Sequence, residues 1–198
     1  INALIARDIA EDAYARQLTE PAQYHGKALA EHLETALFLC PACGGVSTLR
    51  SEGSRFSCTC GLAARYTPQG LLEPEAGSTA PLPFTTVRDW FAWQAEQVPR
   101  LLDRAGPGPL LQDDGLGLYQ VQSGAFATLA ATGPLALWPD RLECAGQVFP
   151  MAAIAELAIV GRQTLTFSTH EGAQYEIKSH LPYSAVKYQL VLAALQKT

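Results

Sequence analysis

Residues 38–61 read FLCPACGGVSTLRSEGSRFSCTCG, and the cysteines in this stretch decide what it folds into. Cys40 and Cys43 form one tight pair, Cys58 and Cys60 a second, and the span between, Gly44 to Ser57, has the length of one β-hairpin. A hairpin brings its two ends together, so four thiolates converge where a tetrahedral Zn²⁺ can sit. The alternative is two disulfides, or unconnected core thiols. Disulfide frameworks suit small secreted domains, whereas here five cysteines serve 198 residues, no signal-like segment is visible and Cys144 lies far off in an apolar run. Zinc is the expectation, with Cys40, Cys43, Cys58 and Cys60 as its ligands. The second pair is Cys-x-Cys where Cys-x-x-Cys is commoner, a tighter turn for which Gly61 supplies the φ freedom.

Four thiolates close the coordination shell. A catalytic zinc keeps one position open for water and draws on His or carboxylate ligands, and the only such residue between Cys40 and Cys60 is Glu52. The expected role is structural, because about twenty residues cannot bury a core of their own and the metal stands in for one.

Working outward, Ala63 to Tyr66 is predicted to pair back as a further strand. Upstream, Leu29, Leu33 and Leu37 form one stripe of a helix predicted from Lys27 to about Leu37. An earlier helix is predicted from Leu4, Ile5, Ile9, Ala13 and Leu18, with Arg7, Asp8, Glu11 and Asp12 outward and with Pro21 and Gly26 after it. Downstream, Thr67 to Pro83 collects Pro68, Gly70, Pro74, Gly77 and Pro81, the composition of an irregular connector. Thr86 followed by Asp89 resembles a capping box, and Val87, Trp90, Phe91, Gln94, Val98 and Leu101 keep helical spacing. Pro99 is expected to bend or end that helix, and Trp90, Phe91 and Trp93 to form its core stripe. Asp103 to Gly117, rich in Gly and Pro, is a second connector.

From about Gly117 the pattern turns to short β-like runs. Strands are predicted near Leu118–Gln122, Phe126–Thr132, Leu135–Trp138, Arg141–Cys144, Ile159–Gly161, Thr164–Ser168 and Tyr175–Lys178. Turns fall at Pro139-Asp140, Gly146, Gly161-Arg162 and Glu171-Gly172. A last helix, Pro182 to Gln196, offers Val186, Leu190, Val191, Ala194 and Leu195 as its apolar face. The predicted class is therefore α+β: N-terminal helices, a small zinc-ribbon β-hairpin module, a connecting helix, then a β-barrel of about seven strands with a C-terminal helix capping its open end. That is the element order of a PH-like or GRAM-like domain. The divisions fall at 1–37, 38–67, 68–83, 84–105, 106–116 and 117–198.

The net charge of −5 disfavours a nucleic-acid surface, which needs clustered Lys and Arg. Near the cysteines Arg50, Arg55 and Arg65 outnumber Glu52, but four thiolates plus Zn²⁺ carry about −2 and cancel that excess. No run approaches the roughly eighteen apolar residues of a membrane span. Arg141, Arg162, Lys178 and Lys187 are scattered, so little or no lipid-headgroup binding is expected. The histidines, His25, His32, His170 and His180, lack metal-ligand spacing, and no Gly-x-Ser-x-Gly elbow or Walker loop occurs, so no catalytic or cofactor-binding residue is assigned. The chain begins at Ile1 and its only methionine is Met151, which reads as a fragment of something longer.

A resemblance adds to this. Tyr24-His25-Gly26-Lys27, Ala30-Glu31, Leu33-Glu34 and Leu37-Phe38, with both cysteine pairs and Tyr66, resemble the C-terminal part of bacterial lysophospholipid acyltransferases of the 1-acylglycerol-3-phosphate acyltransferase family. Phe84 to Gln94 resembles the helix that follows the ribbon in those proteins. The resemblance implies an upstream acyltransferase domain, of which residues 1–37 would be the tail, and phospholipid biosynthesis in the cytoplasm or peripherally at the inner face of the membrane. It implies that the upstream domain, or another protein, is the partner. The family's His-x-x-x-x-Asp signature is not in this chain, because the fifth residue after each histidine is Ala30, Leu37, Tyr175 or Ala185. The chain alone is expected to be inactive, a non-catalytic accessory region. A stand-alone zinc-ribbon adaptor acting through protein contacts is the other reading.

Overall fold

Two antiparallel sheets, each built around its own buried core, share three helices in the computed structural model, which describes residues 12–103, 106–122, 126–161 and 163–196. The smaller sheet runs in chain order: β1 (Leu49–Glu52), β2 (Arg55–Cys58), β3 (Ala63–Tyr66) and β4 (Leu72–Pro74). β1 and β2 pair from Leu49↔Cys58 to Glu52↔Arg55 around a two-residue turn whose Gly53 takes φ 60. The expected hairpin and its third strand are both present. The stretch expected as an irregular connector at 68–83 instead supplies β4, because Leu72 is an apolar residue the small core needs and its N–H is held by the Thr85 carbonyl at 2.8 Å.

Of the two helices expected before the cysteines, the second does not form. Leu33–Thr35 makes only a 3-10 turn, entered through His32 at φ 68. Backbone groups that a helix would use internally go to the hairpin: Ala30 N–H bonds the Gly53 carbonyl at 2.9 Å and His32 N–H bonds Ser51 Oγ at 2.9 Å. Of the first expected helix, the described residues hold α1 (Ala13–Thr19), where Asp12 Oδ1 caps the Tyr14 and Ala15 N–H groups; Leu4, Ile5, Arg7, Asp8, Ile9 and Glu11 lie outside the described residues.

α2 (Val87–Asp103) begins as expected, Thr86 Oγ1 accepting the Asp89 N–H at 3.0 Å, but it continues past Pro99. Its aromatic stripe is narrower than expected, since Trp90 is wholly buried, Trp93 half-buried and Phe91 exposed on the solvent side.

The larger sheet has the order β8-β7-β6-β5-β11-β10-β9, with β5 (Leu111–Val121), β6 (Thr128–Leu137), β7 (Arg141–Cys144), β8 (Gln147–Pro150), β9 (Ile154–Val160), β10 (Thr164–Thr169) and β11 (Gln174–Lys178). Seven strands were expected, but by a different division. Phe126–Thr132 and Leu135–Trp138 are one strand running through Gly133 and Pro134, and β8 was not foreseen. β5 starts inside the stretch expected as a second linker at 106–116. The expected closed barrel is not formed: the sheet curls until Phe149 of β8 stands 4.9 Å from both Phe167 of β10 and Tyr175 of β11, yet no ladder joins β8 to β9. β8 is only four residues long and ends at Pro150, which has no N–H to extend a ladder.

α3 (Ala185–Leu195) closes the core between these curled ends and packs on α2 and β9. Its buried face is only partly the expected one. Val191 is inside as expected, together with Ala185, Lys187, Tyr188 and Leu192, whereas Val186, Leu190, Ala194 and Leu195 are only half-buried. Pro182 lies outside the helix rather than in its first turn, and Ser184 precedes it.

Candidate metal centre

The chain reaches the centre through Leu37-Phe38-Leu39-Cys40, a run shared between the two cores. Leu37 and Cys40 lie in the core of the smaller sheet, Phe38 and Leu39 in that of the larger. α2 holds this run in place from the other side. Trp90 Nε1 donates to the Leu39 carbonyl at 2.9 Å, while the wholly buried Gln94 accepts the Phe38 N–H at 3.0 Å and donates to the Ala36 carbonyl at 2.7 Å. The buried backbone groups that the single bridge between Leu39 and Val46 leaves unpaired are thereby satisfied.

Beyond it, the first knuckle is a turn in which Gly44 N–H bonds the Cys40 carbonyl at 2.9 Å and Cys40 N–H bonds the Gly45 carbonyl at 3.0 Å. Gly45 N–H also points at Cys43 Sγ, 3.4 Å away, and a Cβ there would come within 2.8 Å of the Thr48 side chain. The second knuckle closes with Cys58 N–H on the Leu62 carbonyl at 2.8 Å and Gly61 N–H on the Cys58 carbonyl at 3.1 Å. Gly61 has φ 97, and a Cβ on it would lie 2.0 Å from Thr79 Oγ1, so this tight knuckle requires glycine there.

Cys40, Cys43, Cys58 and Cys60 are brought together as expected, with all four sulfurs within 4.8 Å of one another. Cys40 Sγ is 3.7 Å from Cys60 Sγ, and Cys43 Sγ 3.8 Å from Cys58 Sγ. A tetrahedron with metal–sulfur bonds of about 2.3 Å has edges of about 3.8 Å, while a disulfide needs about 2.05 Å. All four are free thiols in an arrangement that can hold a metal ion. Each pair gives one buried ligand, Cys40 or Cys58, and one exposed ligand, Cys43 or Cys60.

The local electrostatics favour ionising Cys58 before Cys40. Burial raises the Cys58 thiol, but the Cys60 backbone N–H and the Thr48 hydroxyl, 3.1 Å from its sulfur, more than offset that and bring it down to about 6. Burial holds Cys40 above the ordinary thiol range. Metal bound here would be held by thiolates, so binding would release protons from these thiols.

Of the arginines around the centre, Arg55 pairs with Glu75 at 3.1 Å, Arg50 is bonded to the Ser47 and Leu49 carbonyls, and Arg65 stands opposite Arg55 across β2 and β3. On the larger sheet Arg141 pairs with Asp140 and Glu143 and covers Trp138, Lys178 pairs with Glu176, and Lys187 is buried; Arg162 is outside the described residues. His25, His170 and His180 are exposed and apart, and His32 sits in the 3-10 turn. No helix among the described residues is long and apolar enough to cross a membrane.

Sequence reasoning placed Gln94 in the helical stripe without a role. The signal was there: an amide at 94, one turn on from Trp90, on a face otherwise apolar. A scan of the chain against protein-family models finds no match, and comparison with characterised proteins finds no relative.

Proposed function

We propose that this chain is a non-catalytic accessory region in which Zn²⁺ is a structural element. The observation that carries it is the four-sulfur cluster with edges of 3.7 and 3.8 Å, two of its members buried in the core of the small sheet. Tetrahedral S₄ sites suit zinc or iron, and zinc adds no redox chemistry or geometric demand of its own. With four thiolates bound, no coordination position is left for substrate, so the metal's contribution is to fold the knuckles.

The parent activity we assign from the resemblance is acyl transfer to a lysophosphatidate hydroxyl, performed by an upstream domain in the cytoplasm or at the inner face of the membrane. The curled seven-stranded sheet with its C-terminal helix serves, in this reading, as a PH-like docking domain for that enzyme domain or another protein. Because Arg141 and Lys178 are already paired and Lys187 is buried, little or no anionic-lipid binding is expected of it. Two experiments test this. The coding sequence upstream of Ile1 is expected to encode His-x-x-x-x-Asp, and a reading frame without it leaves the adaptor reading in its place. In flotation with anionic vesicles the chain is expected to stay unbound, and strong, salt-sensitive binding would overturn the docking assignment.

A further inference from the structure

The C-terminal helix is tied to the metal centre through a buried lysine. Lys187 of α3 has a side chain 1% exposed, and its Nζ lies 2.7 Å from Asp113 Oδ2 of β5 and 2.6 Å from Ser47 Oγ. Ser47 belongs to the loop that leaves Cys43, takes φ 57 and bonds the Phe38 carbonyl through its N–H at 2.7 Å. The next residue, Thr48, touches Cys58 Sγ. Asp113 also accepts from Tyr188 of α3 at 2.7 Å, and Ser184, just ahead of α3, donates to the Thr35 carbonyl at 2.9 Å. The buried seat of α3 is thus completed by groups whose positions depend on the cysteine loop and on the run entering Cys40.

We propose that loading of the metal centre controls the seating of α3, so that loss of the metal releases the helix and uncovers the apolar surface it closes; this rests on the zinc reading above. Without the ion, the loop from Cys43 to Thr48 loses its covalent-strength anchor at one end, and Ser47 is left against Lys187 only by its bond to the Phe38 carbonyl and the single bridge from Val46 to Leu39. A buried ammonium with one acceptor removed is strongly disfavoured, and α3 can relieve it by moving Lys187 into water. Tyr188, Val191 and Leu192 would leave the core with it. Linkage makes the effect reciprocal: the factor by which bound metal favours the seated helix is the factor by which the seated helix favours metal binding.

Hydrogen exchange with mass spectrometry on the whole chain, zinc-loaded and then stripped by a chelator under reducing conditions, tests this. Metal content is measured on the same samples, so a chain that never held zinc is recognised as a failure of the zinc reading and not of the coupling. Stripping is expected to speed exchange across 185–195 at least tenfold while β5, β10 and β11 stay protected. Unchanged exchange in α3 of a chain shown to have lost its zinc overturns the proposal. Lys187→Met is expected to exchange fast in α3 even when loaded, to respond no further to the chelator, and to hold zinc about tenfold less tightly in competition with a chromophoric chelator. Ser47→Gly, which tolerates the positive φ and removes the hydroxymethyl group that reaches Lys187, is expected to do the same more weakly and serves if the first variant does not fold. A parent-like response to stripping in Ser47→Gly, with parent-like zinc affinity, also overturns it.

Discussion

The four-stranded sheet and the seven-stranded sheet solve the same problem of staying folded with different means. The larger one has Leu116, Leu118, Leu135, Leu137, Leu142, Leu165 and Ile177 removed from water by strands that cover one another and by α3. The smaller one has Leu49, Phe56, Leu62 and Leu72, borrows Trp90 from α2, and counts two of the four sulfurs among its core. A core that small, with Cys40 and Cys58 inside it, holds its shape when a metal crosslinks the knuckles; the larger sheet carries its stability in apolar area.

The largest expected effect breaks that contrast at its root. Cys58→Ser should remove metal binding and unfold residues 49–66, a loss on the scale of about 10 kcal/mol of metal-linked folding energy, while the strands of the larger sheet keep their exchange protection. Far-UV circular dichroism and peptide-resolved exchange read both halves. Trp90→Ala comes next, at about 4 kcal/mol, since it empties a site between Phe56 and Phe84 and frees the Leu39 carbonyl. Denaturant unfolding should show the loss in the smaller sheet's transition first.

Gln94→Leu keeps the volume of the side chain but strands the Phe38 N–H and the Ala36 carbonyl, an expected cost of about 2 kcal/mol by the same measurement. Gly61→Ala imposes a side chain at φ 97 against Thr79, expected at about 1–2 kcal/mol. Thr79→Gly in the same chain should recover the contact part and leave the backbone part. The smallest effect separates the two classes of cysteine without altering stability. Burial pushes Cys144 up to about 12, so at pH 8 its thiolate fraction falls roughly a thousandfold below that of an ordinary thiol. In the metal-loaded, folded chain Cys144 should resist alkylation at pH 8 and react only as pH approaches that value, whereas the denatured chain should expose it together with the other four cysteines.

Much of the small sheet was legible because the cysteine spacing constrains it from both ends and Gly61 marks the tight knuckle. What misled was local pattern that lost to tertiary partners. Leu29, Leu33 and Leu37 have helical spacing, yet His32 at φ 68 and hydrogen bonds to Gly53 and Ser51 turn that stretch onto the hairpin. Leu72 hid in a Pro- and Gly-rich stretch whose composition says loop although Leu72 is needed inside, with Ala80 and Leu82 packed against the same core. In α3 nearly every position is apolar, so periodicity could not choose a face; Asp113, seventy-four residues earlier, chose it by pairing with Lys187. The four clustered cysteines were the best determined residues, since a shared metal would fix both residue type and spacing, whereas Gln94, Ser47 and Lys187 act through partners no local pattern reveals.

The most direct measurement is native mass spectrometry of the chain prepared under reducing conditions with zinc supplied and no chelator. One zinc ion per chain is expected, displaced with proton uptake on acidification and missing in Cys58→Ser. A chain that carries no metal under those conditions, or that carries Cys40, Cys43, Cys58 and Cys60 as disulfides, would contradict the structural-zinc account.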